Sequence, residues 1–228
     1  MKNTKITVKT SSKNYTVYFG NGIINNAGTL VKKNIPGVNK ICIISDKNLP
    51  QIILRKLSKS LKKYQIKNYK LFVSEKIKNF KVANKIIEDL LNENFNRNDC
   101  IIALGGGIIG DLSSFIASLI KRGIKFVNIP TTLLSQVDAS IGGKTAVNSN
   151  QGKNLIGTFY QPDFVLEDIL LLNSLPQREI VCGYGEILKY SLTLDRNFFL
   201  WLCKNAEKLI NVRDNKILKK AIIRSCKI

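Results

Sequence analysis

Residues 101–111 read IIALGGGIIGD. Four apolar residues run straight into three glycines, and a second apolar segment begins at once. A short, wholly apolar run bounded by glycine is the pattern of a buried parallel strand. Beyond it, Ile108, Leu112, Phe115, Ile116, Leu119 and Ile120 recur on one face at a period near 3.6, so a helix starts at the turn. Strand, glycine turn and helix together aim backbone N–H groups at a phosphate. On its own the run is a weak signal, because glycine turns also serve packing and the spacing is not G-x-G-x-x-G.

Outward from this stretch the chain keeps alternating. Residues 4–9 and 15–19 alternate in polarity, as paired strands do. Residues 23–33 form a weak helix, 40–46 a buried strand, 49–64 a helix with a basic outer face, and 69–73 the next strand. Val82, Ala83, Ile86, Ile87, Leu90 and Leu91 mark an amphipathic helix before the central strand. Further strands are expected at 126–129 and 164–167. The order implies an α/β fold, a Rossmann-like domain with a mainly parallel sheet over residues 1–174. From residue 175 the pattern is helical, and Ile217, Leu218, Ala221, Ile222 and Ser225 hold a helical period almost to the last residue without a cap. Residues 175–228 therefore read as the incomplete beginning of a C-terminal helical domain.

Composition excludes several classes. The first twenty residues lack the apolar core of a signal peptide, and the most apolar window, 101–120, contains Asp111 and four glycines, so no membrane span is expected. The net charge of +20 is uneven: residues 1–100 hold 20 Lys and Arg against 6 Asp and Glu, whereas residues 101–190 hold 7 of each. The lysines are dispersed with no interleaved aromatic platform, which argues for solvated surfaces and against nucleic-acid binding. Five scattered cysteines without a C-x-x-C pair, three of them within apolar runs or helical patterns, read as buried reduced thiols of a cytoplasmic protein.

Two further stretches carry chemistry. Residues 129–154, IPTTLLSQVDASIGGKTAVNSNQGKN, are too rich in Thr, Ser, Gly and Lys to be one regular element, and long polar segments in an economical α/β domain are usually functional. Lys144 and Lys153 each follow a glycine, which lets backbone approach a ligand while the ammonium adds charge. The GGKT run lacks the first glycine of a Walker A loop, so an NTPase is rejected. In GYGEILKYS, Glu186 and Lys189 share a helix face, either as an exposed i,i+3 ion pair or with Glu186 as a metal ligand; the spacing decides for neither.

The combination LGGGIIGDLSSFIAS, KRGIKFVNIPTTLLSQVDASIGGKTAVN, GKNLIGTFYQP and LPQREIVCGYGEILKYSL closely resembles the 3-dehydroquinate synthase family over roughly residues 100–200, and SDKNL at Asp46 and SEKIKN at Glu75 agree more loosely. The resemblance implies an NAD- and metal-dependent cyclase of the shikimate pathway. Such an enzyme converts 3-deoxy-D-arabino-heptulosonate 7-phosphate, a phosphorylated sugar acid, to 3-dehydroquinate and phosphate, and is expected to be a homodimer. It implies NAD contacts at Asp46, Glu75, Lys78, Gly106, Gly107, Ile108, Ile109, Gly110, Asp111, Thr131, Thr132, Lys144 and Lys153, and along Leu171, Leu172, Asn173 and Ser174. Arg122, reaching across a dimer interface, Lys144 and Asn154 would hold the substrate phosphate, and Asp138, Lys153 and Lys189 would meet substrate or nicotinamide. Glu186 would be the one ligand present for a divalent zinc or cobalt ion.

The family's metal site adds two histidines to this glutamate, and the chain has none. The reading is thus an N-terminal portion, with the metal site incomplete and a C-terminal half missing. Alternatives are another NAD-dependent sugar phosphate cyclase, a polyol dehydrogenase of the same fold, or a non-catalytic NAD-binding remnant.

Overall fold

The computed structural model describes residues 4–211 and 214–228; residues 212 and 213, within the stretch expected to be helical, and residues 1–3, part of the stretch read for a signal peptide, lie outside the described residues. Two antiparallel strands, β1 (Thr4–Val8) and β2 (Tyr15–Gly20), open the chain. After α1 (Ala27–Asn34) come β3 (Lys40–Asp46), α2 (Gln51–Ser60), β4 (Gln65–Leu71), α3 (Phe80–Asn92), β5 (Cys100–Gly105), α4 (Gly107–Leu119) and β6 (Lys125–Pro130). A hairpin of β7 (Val147–Ser149) and β8 (Gly152–Ile156) precedes β9 (Phe164–Asp168), and α5 (Gln177–Leu194), α6 (Arg196–Ile210) and α7 (Asn215–Ser225) end the chain.

Seven strands form one sheet in the order β1-β2-β9-β6-β5-β3-β4, parallel throughout except for the β1–β2 pair. The apolar run of β5 is buried at every residue because β3 and β6 flank it and helices cover both faces. On one face Ile43, Ile102 and Val127 pack with α1 and α2; on the other Ile44, Ile101 and Phe126 pack with α3 and α4. A third cluster joins Tyr15, Val17, Phe19 and Val165 to Ile180, Ile187, Phe198, Leu202 and Ile222 of the last three helices. Among the described residues no helix is long and apolar enough to cross a membrane.

Three expectations are corrected. The strand placed at 69–73 is β4, starting at Gln65, because an edge strand buries only one face and carries polar residues on the other. The helix α4 is not one-sided: Ile109, Ser113, Ser114 and Ala117 are buried along with Leu112, Phe115 and Ile116, while Leu119 is exposed and Ile108 borders a groove. Of the cysteines, all free thiols, only Cys42 and Cys100 are buried; Cys226 is half-buried, and Cys182 and Cys203 face solvent.

Candidate functional site

The strand order reverses between β3 and β5, and in open parallel sheets a crevice forms beyond the carboxyl ends of the strands at that reversal. A groove of about 670 Å³ lies there. Gly106, Gly107, Ile108 and Asp111 line it from the start of α4, Thr131 and Thr132 from the end of β6, and Asp46, Glu75 and Lys78 from β3 and the segment after β4. No side chain caps α4 at Gly106, so its first N–H groups and the helix dipole favour an anion. The turn is tight at 106: a Cβ there would sit 3.0 Å from the Thr132 methyl, which would have to give by a few tenths of an ångström.

A second cleft of about 520 Å³ is lined by Asp111, Asp138, Lys144, Thr145 and Asn154, and by the apolar residues Leu155 and Phe159. Asp111 borders both spaces. It forms an ion pair with Lys78, whose ammonium also donates to the Asn154 side-chain oxygen at 2.5 Å. Burial raises the Asp111 carboxyl above the usual range, against the lowering by Lys78. Asn154 takes a left-handed backbone, φ 61°, a conformation that non-glycine residues keep mostly where surroundings impose it.

The β7–β8 hairpin brings these groups together. The Asn148 N–H donates to the Lys78 carbonyl at 2.7 Å, and the Asn148 amide donates to a Glu75 carboxylate oxygen at 2.9 Å. The Asn154 N–H donates to the Asn148 side-chain oxygen at 3.0 Å, and Lys153 lies 3.8 Å from Glu75. Lys144 is exposed beside the second cleft, after Gly142 and Gly143, both with positive φ. Asp138 sits on a π-helical turn, Ser135–Ala139, and accepts the Tyr190 hydroxyl at 2.6 Å. That bond and burial raise the Tyr190 phenol, burial being the larger cause.

Other residues expected at the site are placed differently. Ile109, Gly110, Leu171 and Leu172 are buried, and the side chains of Ile109, Leu171 and Leu172 belong to the core clusters, so they face away from the groove. Asn173 is exposed and Ser174 borders the groove. Arg122 lies outside both spaces, beyond the far end of α4 and about 20 Å along the helix from Gly107. Glu186 pairs with Lys189, the i,i+3 arrangement, and that bond raises the Lys189 ammonium. Among the described residues no three His, Cys, Asp or Glu side chains converge, so the residues present do not make a metal centre. Tyr190, Asn148 and Glu179, which also borders the groove, were not legible as site residues. Their contacts cross tens of positions, and no local spacing marks them.

Residues 68–182 match the family profile described as 3-dehydroquinate synthase N-terminal. A 3-dehydroquinate synthase of Pelagibacter ubique is 50% identical over 224 residues, which are 98% of this chain and 61% of that protein. The fold is similar to 2-deoxy-scyllo-inosose synthase complexed with carbaglucose-6-phosphate, NAD+ and Co2+, at TM-score 0.79 and 25% identity over 99% of this chain and 63% of the other. It is also similar to 2-epi-5-epi-valiolone synthase from Streptomyces hygroscopicus with NAD+ and Zn2+ bound, at TM-score 0.84 and 24% identity, covering 96% of this chain and 61% of that one. The chain spans about three-fifths of the length of these relatives. With the profile running from within β4 to within α5 over half of its residues, the chain belongs to the 3-dehydroquinate synthase family.

Proposed function

We propose that this chain is the cofactor-binding part of a 3-dehydroquinate synthase, which turns 3-deoxy-D-arabino-heptulosonate 7-phosphate into 3-dehydroquinate and inorganic phosphate. The observation that carries the reading is Asp111, paired to Lys78 and shared by a long groove over a glycine turn and a second cleft edged by Lys144 and Asn154. A dinucleotide in the first space would meet a small phosphorylated substrate in the second.

The groove suits NAD. Its glycine turn offers an uncapped helix start to the pyrophosphate, and Asp46 and Glu75 offer carboxylates to ribose hydroxyls. NAD, when bound, supplies reversible hydride acceptance. The chain's own residues position the substrate: the Lys144 ammonium and the Asn154 amide suit its phosphate, and Asp138, held by Tyr190, presents a carboxylate to a substrate hydroxyl. For a metal, Glu186 is one donor, and the others would come from the part of the relatives' length that this chain does not span. Arg122, outside the clefts of its own copy, supports a homodimer in which it serves the other copy. The buried free thiols Cys42 and Cys100 support a cytoplasmic setting.

Calorimetric titration of NAD into the chain tests the first half, with saturable 1:1 binding expected. Phosphate release from the heptulosonate phosphate after mixing with a histidine-bearing C-terminal segment of a relative tests the second. Net NADH accumulation on a simple polyol would instead favour the dehydrogenase reading, and binding without turnover after mixing would favour a remnant.

A further inference from the structure

Of the buried carboxyls that line neither cleft, one is tied to the turn that carries Asp138. Glu167, on β9, is wholly buried on the sheet face that also carries Val165 and packs against the last three helices. The Ser140 hydroxyl donates to its Oε1 at 3.0 Å. Ser140 closes the π-helical turn, its N–H donating to the Ser135 carbonyl at 3.0 Å, and Asp138 projects from the same turn into the second cleft. Such turns recur at functional sites. The turn has further ties to the core. The buried Gln136 amide donates to the carbonyls of Pro130 and Asp168, and Gly142 N–H donates to the Tyr15 hydroxyl at 3.1 Å. Just past α7, at its C-cap, the Cys226 thiol donates to the Gln136 carbonyl at 3.4 Å.

We propose that Glu167 is a positioning residue: its buried carboxyl ties the Ser135–Ala139 turn to the central sheet and so sets where Asp138 stands in the second cleft. That this matters for turnover rests on the function proposed above; the anchoring itself does not.

The carboxyl works in its neutral form. Burial pushes it well above the usual range, and the Ser140 hydrogen bond only partly opposes this. The titratable groups facing it are the Cys226 thiol at the C-cap of α7, itself raised by burial and by Glu167, and beyond it the Tyr15 phenol on β2. The Glu186 and Lys189 pair on α5 lies on the Asp138 side of the turn, and among the described residues no cation pairs with Glu167. Its Oε2 and the Gln136 Oε1 are buried oxygens without a hydrogen-bond partner. A proton on Oε2 converts one of these two acceptors into a donor, whereas a charge there would stand unpaired in the core.

The variants Glu167→Gln and Glu167→Ala, studied in the same 228-residue chain, test the anchoring without any ligand. The glutamate carboxyl resonance missing from Glu167→Gln should keep its protonated 13C shift at pH 7. Hydrogen exchange of residues 135–143, corrected for intrinsic rates, should stay as slow in Glu167→Gln as in the parent. In Glu167→Ala it should speed up by about tenfold or more, as losing a buried hydrogen bond and opening a cavity demands. Raising the pH should progressively loosen this turn in the parent and leave Glu167→Gln flat, a difference that a purely space-filling role cannot produce. An ionised Glu167 at pH 7, or identical pH dependence in parent and Glu167→Gln, overturns the proposal. Failure of NAD binding or turnover would leave these readings untouched and count against the proposed function alone.

Discussion

Lys78, from the segment after β4, reaches Asp111 in the second turn of α4 and makes the ion pair that separates the two clefts. The Lys78 side chain is 5% exposed and that of Asp111 22%, so the ammonium cannot fall back on water and the carboxylate can do so only in part. Lys78→Met leaves a largely buried carboxylate whose burial is no longer opposed by the ammonium. It should destabilise the chain by about 1–3 kcal/mol at neutral pH in urea unfolding and weaken NAD at least tenfold.

The same pair fixes a sign for pH. The Asp111 carboxyl is raised in the folded chain, so its contribution to stability is full below the ordinary carboxylate range and is lost as pH rises through the raised value. Without Lys78 the carboxyl rises further and more of the loss falls at higher pH. The stability gap between parent and Lys78→Met should therefore widen between pH 4 and pH 8, and a gap that narrows with pH would refute the assignment.

Gly143 holds φ +70°, and a Cβ added to it would meet the Gln161 amide at 2.5 to 2.6 Å. Gly143→Ala combines a left-handed backbone penalty with that clash, and Lys144 is the next residue. A loss of about 1–3 kcal/mol is expected, and calorimetry should show weaker binding of inorganic phosphate at the second cleft if Lys144 serves an anion there. Gly142, which has open space at its Cβ position, is the matched control, where the backbone penalty alone applies.

How much of this was legible depended on where each signal was local. The β5–α4 unit was plain because its apolar run and its helical period sit side by side in 101–120. The start of β4 was not: QIKNYKL alternates as an edge strand must, and the more apolar residues just after it drew the reading to 69–73. The hairpin of β7 and β8 was missed because VNS and GKNLI carry little strand character; they pair because Asn148 is clipped to Glu75 and Lys78, some seventy positions upstream. Glycine spacing marked the groove, but Ile109, Leu171 and Leu172 show that a stretch can border a site while its side chains fill the core. The link from Tyr190 to Asp138 spans 52 positions and has no sequence signature.

The chain has no histidine, and the Glu186 carboxylate is already paired with Lys189. A single carboxylate is too few donors for a tetrahedral zinc site. Adding zinc or EDTA should therefore leave the melting temperature of this chain unchanged, and calorimetry should show no stoichiometric zinc site. Tight 1:1 zinc binding would mean that Glu186 leaves Lys189 for other donors.

The last helices depend on Asp195, which caps α6 by accepting the Phe198 N–H at 2.9 Å and receives Arg224 of α7 on both carboxylate oxygens, at 2.8 and 2.9 Å. The backbone bond from Phe198 lowers the Asp195 carboxyl most, and Arg224 adds to it. A lowered carboxyl stabilises the fold above its ordinary range, near pH 3.9, and that stabilisation is lost as pH falls through the lowered value. Asp195→Asn keeps a cap acceptor but loses the ion pair, whereas Asp195→Ala loses both. Melting temperatures at pH 7 should fall in the order parent, Asp195→Asn, Asp195→Ala. The gap between the first two should shrink with added salt and shrink further as the pH falls below the ordinary carboxylate range and the parent's carboxyl takes up its proton. A gap that did not shrink as the pH falls below the ordinary carboxylate range would show that packing at this position, rather than its charge, joins α6 to α7.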